Sequence, residues 1–179
     1  QSVARWSSVS GLRAAAACYR YRKGSGVQRM IHRFKYKGEE DIGIYLGQRY
    51  GKDLMQNEVF SSVDSIIPVP LHPARMRSRG FNQSEVFGRG LSESMQKPLY
   101  THWLLRDEQT KTQTRKSRFD RWENTEGKFI LGPESGEGKH LLLVDDVITT
   151  GATLEACARV LMRIPGCTVS VAAIAGTLH

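Results

Sequence analysis

The chain has 179 residues, 40% of them hydrophobic, which suits one domain with a real core and at most a small subdomain. Its net charge of +8 suits an anionic partner such as a polyphosphate, nucleic acid or an acidic surface, with plain solubility as the simpler reading. No apolar run approaches the roughly 20 residues that span a bilayer, and Cys18, Cys157 and Cys167 form neither a CxxC nor a Cys/His pair at metal spacing. A sparse, odd set of cysteines without a signal peptide predicts buried free thiols in a reducing cytoplasm rather than a disulfide framework.

Residues 1–10 carry no firm pattern. In 12–22, LRAAAACYRYR, Tyr19 and Tyr21 alternate with Arg20 and Arg22, which favours a strand, while the alanines also permit helix. Lys23-Gly24-Ser25-Gly26 is a turn. Val27, Met30, Ile31 and Phe34 then keep helical spacing, with Gln28, Arg29, Arg33 and Lys35 on other faces, until Lys37-Gly38. A second helix is expected over about 39–55, where Ile42, Leu46, Tyr50 and Leu54 recur every four residues.

Ser65-Ile66-Ile67-Pro68-Val69-Pro70 fits a short buried parallel strand ending at Pro68 or Val69. Its exit leads into a basic stretch with Arg75, Arg77 and Arg79. After the break at Gly80, Asn82 or Ser84 is placed to cap a helix over 84–95 that buries Val86, Phe87, Leu91 and Met95. Residues 99–105 read as a strand. The segment 106–127 is polar, with six Arg/Lys against three Asp/Glu up to Arg121, and a loop so long inside one domain points to function. Within it, 117–124 permits a short helix with Phe119 and Trp122 inward. A short strand at 129–131, a loop at 132–138, a strand at 140–145, a helix over about 151–163 burying Leu154, Cys157, Ala158 and Leu161, and a strand at 168–174 complete the chain.

Strands alternating with helices, and apolar on both faces, predict an α/β fold with a mainly parallel sheet. Ligands of such sheets bind beyond the carboxyl ends of the strands. The stretch 141–153, LLLVDDVITTGAT, falls at such an end: an apolar run, the carboxylates Asp145 and Asp146, then Val147, Ile148, Thr149, Thr150, Gly151, Ala152 and Thr153 leading into a helix. A helix N-terminus offers unpaired N–H groups and the positive end of its dipole to a phosphate. Carboxylates beside it accept from sugar hydroxyls, directly or through a metal and water. Neighbouring side chains of an extended strand point to opposite faces, so both carboxylates meet one ligand only if the backbone turns there. A Walker A loop and a dinucleotide fingerprint are both absent.

The stretch 141–153 resembles the phosphoribosyl-pyrophosphate (PRPP) motif of type I phosphoribosyltransferases. Together with PVPLH at 68–72, RGFNQ at 79–83, and Thr112-Gln113, Arg118, Asn124 and Phe129, it resembles the ComF (competence protein F-like) family, over about 27–176. That resemblance implies a type I phosphoribosyltransferase fold with a small hood from the N-terminal third (about 1–60, before a PRPP-binding core at about 61–179). It implies that Asp145 and Asp146 hold the ribose hydroxyls as the catalytic pair and that 147–153 bind the 5-phosphate. Pro70, Leu71, His72 and Arg79 would hold pyrophosphate. Lys111, Arg115, Lys116 and Arg118 would belong to the flexible loop that closes over it. Mg²⁺ is expected with PRPP, with Asp145 and Asp146 as candidate ligands. Many family members begin with a four-cysteine zinc module, but only Cys18 lies in the N-terminal third here, so no zinc is expected in this chain.

The reaction so implied displaces pyrophosphate from C1 of PRPP with a nucleobase or amine that the sequence does not identify, in purine nucleotide metabolism or DNA uptake. The rival is a non-catalytic module that senses PRPP or binds single-stranded DNA or a DNA-uptake helicase, for which Phe119 and Trp122 beside Arg118 and Arg121 are the best stacking candidates. A cytoplasmic protein is expected in either case, without a membrane partner and with room for a homodimer.

Overall fold

The computed structural model describes residues 12–107, 129–133 and 136–177. In chain order they form β1 (Leu12–Arg20), α1 (Gly26–Tyr36), α2 (Glu40–Leu54), α3 (Glu58–Ser61), β2 (Ser65–Pro68) and α4 (Pro73–Arg79). Then follow α5 (Gln83–Met95), β3 (Leu104–Arg106), β4 (Phe129–Leu131), β5 (His140–Ile148), α6 (Ala152–Leu161) and β6 (Thr168–Gly176). Strands β1, β6, β5 and β2 lie side by side in that order, each neighbouring pair parallel. Strands β3 and β4 make a separate antiparallel ribbon.

The sheet is covered on both faces, which is why its central strand reads as an unbroken apolar run. Leu141 and Leu143 of β5 enter one core with Leu154 and Leu161 of α6. Leu142 and Val144 enter the other with Phe34 of α1 and Phe87 and Leu91 of α5. All four β5 residues are fully buried, each contributing about 1.5–3 kcal/mol of hydrophobic stabilisation. Helices α2 and α5 pack backbone to backbone. A Cβ added at Gly47 would collide with the Phe87 carbonyl, and one at Gly90 with the Ile44 carbonyl.

Local sequence sets the helix boundaries. Ser25 Oγ accepts from the Gln28 N–H to open α1, and Asn82 Oδ1 accepts from the Ser84 N–H to open α5. Of the two candidate caps, Asn82 takes the role and leaves the Ser84 hydroxyl to bond elsewhere. The N-terminal third divides between two tasks: β1 is an edge of the main sheet and α2 packs on α5, while α1 runs beside the open end of the sheet.

Several elements differ from those expected. The basic stretch after Pro70 is a helix, α4: Pro73 sits in its first turn, His72 caps it and Gly80 closes it in the left-handed region at φ 84°. Helix α3, also unanticipated, is capped by Asn57. The strand expected at 99–105 shrinks to β3, with Leu99 making only a bridge to Ile66. Strand β5 runs past Asp145 to Ile148, because β6 continues beside it as far as Gly176. Cys157 and Cys167 are buried free thiols as expected, but Cys18 is only half-buried. The helix considered at 117–124 lies outside the described residues. Among the described residues, no helix is long and apolar enough to cross a membrane.

Candidate functional site

Beyond the carboxyl ends of β2 and β5 lies a cavity of about 610 Å³. Helix α1 supplies one wall with Gln28, Ile31, His32, Lys35 and Tyr36. The exit of β2 and helix α4 supply Pro70, Leu71, His72, Arg75 and Arg79; β5, the loop after it and the first turn of α6 supply Asp145, Asp146, Val147, Thr149 and Thr153. Arg106 of β3 and Phe129 of β4 border it as well.

Asp145 and Asp146 both reach this cavity although β5 continues through them. Leu142, Val144 and Val147 pack with one core and Leu141, Leu143 and Ile148 with the other, so strict alternation fails between Val144 and Val147. The slip falls on the acidic pair. Asp145 Oδ1 accepts from Ser84 Oγ and from the Asp146 N–H, each at 2.8 Å. Burial raises the Asp145 pKa, and the charge of Asp146 adds to the rise. The bonds from Ser84 and the Asp146 N–H, with the charge of Lys35, oppose it. Asp146 is buried, and its Oδ2 lies 2.8 Å from Lys35 Nζ.

The loop after β5 has the backbone features expected of it from the sequence. Gly151 takes the cap position of α6 at φ 79°, which glycine adopts without strain. Gly151 has no side chain to cap this helix, and the Ala152 N–H makes only a long 3.5 Å bond to Thr150 Oγ1, which leaves the first turn able to turn its N–H groups to an anion. The Thr177 hydroxyl donates to the Thr149 carbonyl at 2.8 Å and pins the loop to the end of β6. Thr149 and Thr153 line the cavity. Thr150, Gly151 and Ala152 shape the loop without lining it, and the Ile148 side chain is buried in the core.

The second motif is a built structure. His72 lines the cavity and also caps α4, its Nδ1 accepting from the Ala74 N–H at 3.1 Å. Arg79 donates to Gln83 Oε1 at 2.8 Å, and its guanidinium lies 5.3 Å from the centre of the Tyr36 ring. Phe81 is buried beside Phe34, with ring centres 5.7 Å apart, and Asn82 Nδ2 donates to the Val69 carbonyl at 3.0 Å. RGFNQ therefore fixes where Arg79 points. Arg77 does not line the cavity. Arg106 lies 5.1 Å from the centre of the Phe129 ring, and burial lowers its pKa.

Lys35, Ser84 and Tyr36 line the cavity although sequence reasoning gave them no role there, and Arg106, the first residue of the basic segment expected over pyrophosphate, lines it without having been singled out. Lys35 reads as an exposed helix position, and only the fold brings it to Asp146. Of the loop residues expected over pyrophosphate, Lys111, Arg115, Lys116 and Arg118 lie outside the described residues, as do Thr112, Gln113, Asn124, Phe119 and Trp122. Among the described residues, no cluster of three or more His, Cys, Asp or Glu side chains is placed to hold a metal ion. The acidic pair fits a cation that arrives with other oxygen ligands, as Mg²⁺ does on a polyphosphate.

A family model described as phosphoribosyl transferase domain matches residues 57–178. Competence protein F of Haemophilus influenzae is 33% identical over 143 residues, 75% of this chain and 61% of that protein. The DNA utilization protein YhgH of Escherichia coli O157:H7 is 31% identical over 152 residues, 83% of this chain and 66% of that protein. The chain thus spans 61% to 66% of the length of these relatives. Among solved structures, the glutamine PRPP amidotransferase from B. subtilis complexed with ADP and GMP gives a TM-score of 0.48 at 18% identity, over 78% of this chain and 30% of that one.

Proposed function

The chain belongs to the phosphoribosyl transferase domain family, in its competence protein F-like branch, and on that premise we propose that it binds PRPP with Mg²⁺ and displaces pyrophosphate from C1 with a nucleobase or amine. One observation carries the reading: the N-terminus of α6, the Asp145–Asp146 pair and the cations Lys35, Arg75, Arg79 and Arg106 belong to a single site.

In this reading the N–H groups of α6, with the hydroxyls of Thr149 and Thr153, hold the 5-phosphate. Asp145 and Asp146 accept from the ribose hydroxyls and fix the ring. Cleavage of the C1–O bond sends its electron pair to pyrophosphate and leaves positive character on the sugar. The incoming nitrogen gives its pair to C1 and releases a proton. Mg²⁺, when bound, spreads the charge that collects on the leaving group. Arg75, Arg79 and Arg106 add positive charge on the side of the cavity formed by α4 and β3, and the turn at Pro70, Leu71 and His72 orients the leaving group.

The test has two parts. PRPP with Mg²⁺ is expected to raise the melting temperature of the wild type, and Asp145→Asn with Asp146→Asn is expected to abolish the rise. A wild type that PRPP leaves unmoved sinks the reading. Pyrophosphate release across a panel of bases and amines then identifies the acceptor.

A second reading draws on the charge of +8 and on relatives named for competence and DNA utilization. In it the chain senses PRPP without transferring it and meets single-stranded DNA or the uptake machinery. PRPP binding with no pyrophosphate release from any acceptor, joined to weak and salt-steep DNA binding, favours that reading.

A further inference from the structure

Two adjacent carboxylates in a shielded cavity require a counter-charge. A metal ion can supply it, or a side chain can. At Asp146 a side chain does: Lys35 Nζ lies 2.8 Å from Oδ2, with the Lys35 and Asp146 side chains only 20% and 10% exposed. At Asp145 the corresponding oxygen, Oδ1, already accepts from Ser84 and from the Asp146 N–H. Holding a lysine side chain in one geometry costs rotamer entropy, so its placement needs support. Ile31 and Phe34, both buried and both just ahead of it in sequence, anchor the last turns of α1. Residue 35 also lies outside the matched span of the family model, which begins at 57.

We propose that Lys35 is the resident counter-ion of the acidic pair. It takes the place a divalent cation would otherwise fill, so the free protein holds no metal at Asp145 and Asp146, and the cation enters only on the polyphosphate. An ammonium at Oδ2 repels a second cation at the same carboxylate. It also fixes the Asp146 carboxylate, turning Oδ1 toward a ribose hydroxyl. Lys35 is thus a positioning residue acting through Asp146. That positioning role rests on the ribose-binding role assigned above to the acidic pair, whereas the counter-ion role rests on the Lys35–Asp146 contact alone.

The probe is Mn²⁺, its free concentration followed by electron paramagnetic resonance, with the full chain and no PRPP. Wild type and Lys35→Arg are expected to take up no submillimolar Mn²⁺. Lys35→Met is expected to gain a stoichiometric site, and Lys35→Met with Asp146→Asn to lose it again. Wild-type uptake that Asp146→Asn removes overturns the proposal. So does a folded Lys35→Met that takes up nothing. Calorimetry of PRPP with Mg²⁺ on the wild type separates the two claims. If PRPP fails to bind while the Mn²⁺ pattern holds, the PRPP reading falls and the counter-ion role stands. If PRPP binds and the Mn²⁺ pattern is absent, the counter-ion role alone falls.

Discussion

Ser84 Oγ stands 2.8 Å from Asp145 Oδ1 and ties the first turn of α5 to the acidic strand. The hydroxyl donates to the charged carboxylate and opposes the burial that raises the Asp145 pKa to about 7. The folded state therefore keeps this proton to higher pH than the unfolded chain, whose aspartates titrate near 4. The stability contributed by Asp145 is full below about pH 4 and is lost as pH rises toward about 7. One pKa unit corresponds to about 1.4 kcal/mol. Urea unfolding of wild type and Asp145→Asn at pH 5 and pH 8 measures the effect as a difference of slopes, in which the variant is flatter. Ser84→Ala removes a donor to the charged form, so its decline is expected to extend to higher pH. His140 tilts the curve the other way, because burial and Arg13 lower its pKa, but that contribution is common to all three proteins and cancels.

Gly47 and Gly90 predict a different kind of loss. Each leaves room for the backbone of the facing helix, and a methyl at either strikes a carbonyl that has no rotamer to yield. Gly47→Ala and Gly90→Ala are each expected to cost about 1–3 kcal/mol in urea unfolding. Gly26→Ala is the control: its new methyl meets only the Arg29 side chain at 3.8 Å, and the change is expected to stay within about 0.5 kcal/mol. Helix propensity alone favours alanine at all three positions, so equal losses at all three would show that the α2–α5 contact does not govern the result.

Much of this architecture was legible in the sequence. Periodicity gave α1, α2, α5 and α6, and Leu141, Leu142, Leu143 and Val144 announced a strand buried on both faces. Helix α4 escaped, although Pro73 in the first turn and Gly80 at the end are boundary signals. Three arginines spaced two apart look like a solvated loop, and α4 has no buried residue to betray a helical period. The length of β5 was not readable locally, since its last residues are strand only because β6 pairs with them. The same holds for the site. Asp145 and Asp146 stand out in one dimension, whereas Lys35 and Ser84 become site residues only when α1 and α5 are folded against β5.

At Gly151 the backbone conformation itself is open to test. Its φ of 79° costs an L residue about 1–2 kcal/mol. Gly151→Ala is expected to weaken PRPP binding, in calorimetry with Mg²⁺, by on the order of tenfold, because relief of that strain shifts the first N–H groups of α6. A variant that binds PRPP as tightly as wild type would remove the α6 N-terminus from the phosphate site.

The last prediction turns on which arginines of α4 matter. Arg79 is held by Gln83 and by the Tyr36 ring, whereas Arg77 is exposed and does not line the cavity. If Arg79 grips pyrophosphate, its charge-assisted bonds are worth about 1.5–3 kcal/mol, so Arg79→Met is expected to weaken PRPP binding by roughly tenfold or more. Arg79→Lys keeps the charge but loses the planar fork and the stacking, and recovers only part of the loss. Arg77→Met is expected to bind as the wild type does. A general field effect predicts something else: similar losses at both positions, both shrinking as salt is raised, since exposed charges are screened beyond about 10 Å at 0.1 M ionic strength. Calorimetry at two salt concentrations separates the cases. Losses that are equal at low salt and vanish at high salt would reduce Arg79 to one charge among many.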